Sequence, residues 1–113
     1  MALTIYHNPR CSKSRETLAL LEGKGLSPHV VEYLETPPSQ AELKRILKAL
    51  GVPAKDIVRK KEAAAAKIDA EAMKEADLVA AMAAHPEIIE RPIVVNGEKA
   101  ALGRPPERVL GIL

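Results

Sequence analysis

The chain has 113 residues, enough for one domain with a single core, and that core must be aliphatic, because two tyrosines stand beside no phenylalanine and no tryptophan. Seventeen Lys and Arg against fifteen Asp and Glu leave a net charge of +2, too small to make nucleic acid a default partner, and aromatic platforms for stacking bases are scarce. A single cysteine excludes an intrachain disulfide framework and a multi-cysteine zinc site.

The N-terminal Met-Ala-Leu-Thr-Ile-Tyr has neither the charged n-region nor the apolar h-region of a signal peptide, and no apolar run reaches membrane-spanning length. A cytoplasmic protein with no membrane partner is the expectation. Residues 3 to 7 are β-branched and aromatic enough for a strand, which Asn8-Pro9 breaks. A helix is predicted from about Ser12 to Gly23, then a second strand over 29 to 34. Strand, helix and strand in so short a span predict a right-handed parallel βαβ unit.

Pro37-Pro38 closes that unit, and Ser39 with Glu42 is a capping-box signature for a second helix with Leu43, Ile46, Leu47 and Leu50 on one face. Gly51 and Pro53 end it. The Ala-rich segment from 54 to 86 is predicted to be mostly helical, with Asp69 a candidate cap and Leu78, Val79 and Met82 a buried face. Pro92 to Val95 reads as a strand, Asn96-Gly97 as a type I′ turn and Lys99 to Leu102 as the returning strand. Pro105-Pro106 opens a last helix carrying Val109, Leu110 and Leu113. Repeats and linkers are absent, so the order predicts one domain over 1–113, an α/β sandwich with a mixed sheet and an inserted helical segment.

Cys11 falls at the junction of the first strand and helix. Free amide N–H groups and the helix dipole favour an anion there, and Arg10, Lys13 and Arg15 add positive charge, so the reading is a reactive thiolate. The plain alternative is an inert buried thiol. Ser14, one helical turn on, is placed either to hydrogen-bond the thiolate or to cap the helix. His7 is placed either as a charge beside the thiolate or as a packing residue of the strand. With no second cysteine, an oxidised Cys11 needs an external thiol to be restored. Arg91 and Arg104 each precede a proline at the two ends of the hairpin, and Arg59 falls in the middle segment. Their planar donor forks suit tetrahedral oxyanions, although spacing alone leaves Arg59 a surface arginine.

The run Tyr6-His7-Asn8-Pro9-Arg10-Cys11-Ser12-Lys13-Ser14-Arg15, then Tyr33-Leu34-Glu35-Thr36-Pro37, Arg91-Pro92-Ile93-Val94-Val95 and Gly103-Arg104-Pro105-Pro106 closely resembles the ArsC family of glutaredoxin-coupled arsenate reductases. That resemblance implies a thioredoxin-like three-layer sandwich with a mixed four-stranded sheet and a cis peptide before Pro92. It implies Cys11 as nucleophile, His7, Ser14 and Arg15 around the thiolate, and Arg59, Arg91 and Arg104 as an oxyanion cradle. It further implies arsenate as substrate, glutathione as co-substrate, glutaredoxin as partner and no bound cofactor. Nothing in the residues demands more than a monomer. Ser12-Lys13 stand where well-known arsenic-resistance members have small residues such as Gly-Thr, and the chain stops at Leu113, so it resembles the shorter branch of the family. Two other readings use the same fold: a reductase of glutathione mixed disulfides, and an Spx-like regulator that binds RNA polymerase. Such regulators typically use a Cys-x-x-Cys switch, which Ser14 cannot complete.

Overall fold

The computed structural model describes residues 3–113; Met1 and Ala2, the start of the stretch read above for a leader, lie outside the described residues. The chain divides into two compact units. One holds the described residues through Thr36 together with Arg91–Leu113, and the other is the inserted segment Pro37–Glu90.

The first unit is built on a four-stranded mixed sheet in the order β2-β1-β3-β4, the thioredoxin-like arrangement. Strand β1 (Leu3–His7) pairs in parallel with β2 (His29–Glu32) and antiparallel with β3 (Ile93–Asn96), which pairs antiparallel with β4 (Lys99–Leu102). Helix α1 (Ser12–Gly23) connects β1 to β2. Side chains alternate across a strand, so Leu3 and Ile5 share a face, and register sets Val94 opposite Ile5 and Ala101 opposite Val94. These pack with Leu21 of α1 and Val109 of the C-terminal segment into an aliphatic core.

Strand β2 ends two residues earlier than the 29–34 expectation. The Glu32 carbonyl accepts from Glu35 N at 3.0 Å and Thr36 N at 2.9 Å, so the chain has already turned when it reaches Tyr33, which is buried. The hairpin also differs. Asn96 pairs with Lys99, which puts Gly97-Glu98 at the turn. Gly97 has φ 64°, and Lys67 is the only described non-glycine with positive φ. A type I′ turn needs positive φ at both central residues, so this is not one. Asn96 instead donates from Nδ2 to the Ile112 carbonyl at 2.6 Å, tying the hairpin to the C-terminal segment.

That last segment, Pro106–Ile112, is a 3-10 helix. Three residues per turn puts Pro106, Val109 and Ile112 in one row, and Pro106 and Val109 are buried while Ile112 packs on the core. Of the apolar residues expected on this last helix, Leu110 and Leu113 are 38% and 45% exposed.

In the inserted unit, helix α2 (Gln40–Leu50) begins where Ser39 Oγ accepts from Glu42 N at 3.1 Å and ends at Gly51, whose φ of 73° no β-carbon opposes. Leu43, Ile46 and Leu47 are buried. Beyond it the Ala-rich stretch is broken into short pieces rather than a long helix. Helix α3 (Lys60–Ala65) is followed by Lys67 at φ 59°, and α4 (Glu75–Ala84) buries Leu78, Val79 and Met82. Single 3-10 turns at Ala54–Ile57, Ala70–Ala72 and Pro86–Ile88 separate these helices, and Asp69 precedes the second without a side-chain cap bond. Glu75 closes the unit by accepting Ala54 N on both carboxylate oxygens at 3.1 Å.

Candidate active site

The loop between β1 and α1 is a turn written by Asn8-Pro9. Asn8 O accepts from Cys11 N at 3.0 Å, and Asn8 Oδ1 accepts from Arg10 N at 3.0 Å. Asn opens such turns with its side chain, and Pro supplies the fixed φ that follows. Cys11 is thereby delivered to the N-cap of α1 in extended backbone (φ −92°, ψ 123°). It makes no capping hydrogen bond of ordinary length, so the Ser14 and Lys13 N–H groups are left to stabilise negative charge on its sulfur.

Burial pushes the Cys11 thiol up, but the Ser14 N–H, the Arg91 guanidinium by hydrogen bond and by charge, and the Lys13 N–H together hold it below its ordinary value. Arg104 Nη1 also points at the sulfur, at 3.9 Å, and donates to the Arg91 carbonyl at 3.1 Å. At the limit for N–H···S contact, Arg104 bears on the thiolate less than Arg91 does.

The two arginines come together because the hairpin brings its ends together. Gly103 N donates to Pro92 O at 2.9 Å, and the peptide bonds Arg91–Pro92 and Arg104–Pro105 are both cis. Gly103 is buried where a β-carbon would stand 2.6 Å from Thr17 Oγ1 and 2.7 Å from Pro92 Cγ, so a side chain there has no room. The sequence reading passed over Gly103 as a site residue, although it opens the Gly-Arg-Pro-Pro motif. Asn8 was read only as a strand breaker, yet both its carbonyls shape the cysteine loop.

Beneath the loop, His7 and Ser14 are buried and meet at 2.6 Å between Nδ1 and Oγ. Ser14 Oγ also accepts from Asn8 N at 3.0 Å. The Ser14 hydroxyl therefore serves His7 and the loop, while its backbone N–H serves the sulfur. Burial lowers the His7 pKa, with Arg15 adding to that effect and Glu32 and Glu22 opposing it, so the imidazole is neutral at pH 7. Arg15 Nη1 donates to Pro9 O at 2.9 Å, which braces the loop from outside.

Arg59 belongs to the inserted unit. It follows the antiparallel bridge between Val58 and Ile89, where Arg59 N donates to Ile88 O and Glu90 N donates to Ile57 O, both at 2.7 Å. Its guanidinium binds Glu90 at 2.6 Å and Glu62 at 3.2 Å. These carboxylates, Glu90 foremost, outweigh burial and hold the guanidinium more firmly protonated than usual.

Among the described residues no helix is long and apolar enough to cross a membrane. The chain matches the ArsC family over residues 6–112. It is similar to protein YfgD of Escherichia coli strain K12, whose name assigns no activity, at 50% identity over 96% of this chain and 94% of that one. It is similar to an arsenate reductase of Haemophilus influenzae at 48% identity, covering 100% of both chains. A solved structure of an arsenate reductase from Vibrio cholerae superposes with a TM-score of 0.89 at 51% identity, covering 100% of this chain and 98% of that one.

Proposed function

The chain belongs to the ArsC family, and from that premise we propose that it reduces arsenate to arsenite through Cys11, with glutathione as co-substrate and glutaredoxin as partner. The observation that carries the reading is the pairing at one sulfur of a helix N-terminus with the Arg91 and Arg104 side chains. A depressed thiol pKa makes the nucleophile, and two guanidinium groups make a seat for the anion it attacks.

The Cys11 thiolate attacks arsenic(V) and one arsenate oxygen leaves as water, giving a thioarsenate ester on the sulfur. Arg91 and Arg104 hold the remaining oxygens. A glutathione thiolate then attacks the Cys11 sulfur, the sulfur–arsenic bond breaks, and its electron pair stays on arsenic, which leaves as arsenite. Two thiols have supplied two electrons and now share a disulfide. Glutaredoxin removes the glutathione from Cys11 as a mixed disulfide, which restores the thiolate. Neutral His7, through Ser14 Oγ, holds the loop that presents Cys11.

For Arg59 the resemblance implies a third position in the cradle. Its guanidinium is engaged by Glu62 and Glu90, so taking an oxyanion requires release of one carboxylate. Phosphate matches arsenate in shape and charge, so discrimination rests on the reducibility of arsenic(V) by thiols rather than on binding.

The deciding assay is arsenate-dependent NADPH oxidation coupled through glutathione reductase, glutathione and glutaredoxin. Wild type is expected to turn over and Cys11→Ser is expected not to. A wild type that alkylates readily at Cys11 yet shows no arsenate turnover refutes the substrate and leaves glutathione mixed disulfides as the alternative.

A further inference from the structure

Arg104 reaches the Cys11 sulfur from a different strand end, so something must fix the distance between α1 and the β4 exit. Thr17, one and a half turns into α1, is fully buried although it is polar. Its hydroxyl donates to the Lys13 carbonyl at 2.8 Å, the back-bond that locks a helical threonine's rotamer. The Gly103 carbonyl lies 3.5 Å from the same oxygen, a weak second acceptor. Locked in that rotamer, Thr17 turns Oγ1 and Cγ2 onto Gly103, at 2.6 Å and 3.1 Å from where a β-carbon would be.

Gly103 is the residue before Arg104, and Pro92 presses on the same spot with its Cγ at 2.7 Å. Three elements thus converge on one missing side chain: α1 through Thr17, the β3 entry through Pro92, and the β4 exit through Gly103. On its other side Arg104 is held by the Arg91 carbonyl at 3.1 Å. Lys13, whose carbonyl takes the Thr17 hydroxyl, lies in the same first turn of α1 that Cys11 caps.

We propose that Thr17 is a positioning residue: wedged against the bare Gly103 backbone and locked to the Lys13 carbonyl, it sets the Arg104 guanidinium at the Cys11 sulfur. The role concerns where a positive charge stands, so it holds whichever oxyanion or disulfide Cys11 meets. Thr17 touches neither the sulfur nor a substrate, and its hydroxyl carries no proton to either.

The test reads local charge directly. An anionic alkylating reagent, iodoacetate, and a neutral one, iodoacetamide, attack the same thiolate, so their rate ratio at fixed pH reports the positive charge beside the sulfur and cancels changes in thiolate fraction. Measured on the full chain, Arg104→Ala is expected to lower the iodoacetate-to-iodoacetamide ratio by about threefold or more. Thr17→Ala is expected to approach that value, and Thr17→Val, which keeps the branched shape and loses the hydrogen bonds, to fall by a smaller factor. Thr17→Ser, which keeps the hydroxyl, is expected to retain the wild-type ratio. If Thr17→Ala does not fold, the isosteric Thr17→Val decides.

Wild-type ratios in both Thr17→Ala and Thr17→Val overturn the proposal. So does a Thr17→Ser ratio as low as that of Thr17→Ala, or an Arg104→Ala ratio equal to wild type, since there is then no charge being placed. The arsenate assay is separate: a wild type without arsenate turnover, with these ratios as expected, would sink the substrate and leave the positioning role standing.

Discussion

Arg104 and Arg59 show one residue type put to two uses. Arg104 stands between a sulfur and a backbone carbonyl, reaching Cys11 Sγ at 3.9 Å and donating to the Arg91 carbonyl at 3.1 Å. Arg59 stands between two part-buried carboxylates, Glu62 and Glu90, which already balance it. The difference comes from what lies opposite in the fold. The hairpin base presents backbone carbonyls and a cysteine, whereas the bridge between Val58 and Ile89 delivers Glu90 across from Arg59. A guanidinium's function is therefore read from its partners' charge, and composition or spacing cannot supply it.

The comparison breaks first on activity. Arg91→Ala is expected to lower kcat/KM for arsenate about a hundredfold, near 2.7 kcal/mol, with the melting temperature almost unmoved. Arg91→Lys should recover only part of this, because an ammonium lacks the planar fork. Kinetics indistinguishable from wild type would remove Arg91 from the anion seat.

Arg59→Ala should show the reverse profile, with stability as the main loss. Leaving Glu62 and Glu90 without their shared cation is expected to cost about 1–3 kcal/mol, read as a fall of several degrees in melting temperature. Glu90→Gln sharpens the point. If the carboxylate restrains an arginine that also takes the oxyanion, KM for arsenate falls in this variant; if Arg59 is a clamp alone, KM stays and only stability drops.

These contrasts also mark what was legible in the sequence. Helix α1 and the cysteine junction were legible because Asn8-Pro9 acts through local backbone chemistry, and α2 because Ser39 and Gly51 cap it with their own neighbours. The hairpin turn was misread because Asn96-Gly97 favours type I′ locally, while Asn96 is drawn into the strand by its bond to Ile112, sixteen residues away. The last helix was legible from Pro105-Pro106, but its type was not, because a period near three and one near 3.6 differ little over seven residues; burial of Pro106 and Val109 in one row decides it. The Ala-rich segment carries helix propensity but few large side chains to say where a helix should stop. Of Arg59's two partners, Glu62 is local at three residues on, whereas Glu90, thirty-one residues distant, was beyond local reading.

The thiol itself tests the basic half of the comparison. Alkylation of Cys11 by iodoacetamide should rise with pH and level off with a midpoint below the free-thiol value of about 8.5. In Arg91→Ala the midpoint should move up, because a hydrogen bond and a charge that favour the thiolate are both lost while burial remains. A midpoint unchanged by that substitution would assign the depressed pKa to the helix N-terminus alone.

The smallest expected effect lies beneath the loop, at His7. Burial keeps its folded-state pKa below the unfolded value near 6.5, so between those two values the unfolded chain binds a proton that the folded chain does not. Stability should consequently be flat above about pH 7 and decline as pH falls from about 6.5 toward the lowered folded pKa. Urea unfolding midpoints across that range measure it, and His7→Gln, which cannot take up the proton, should flatten the decline. A His7→Gln protein as sensitive as wild type over the same window would place the acid sensitivity in other groups and leave the buried His7–Ser14 pair as a packing contact.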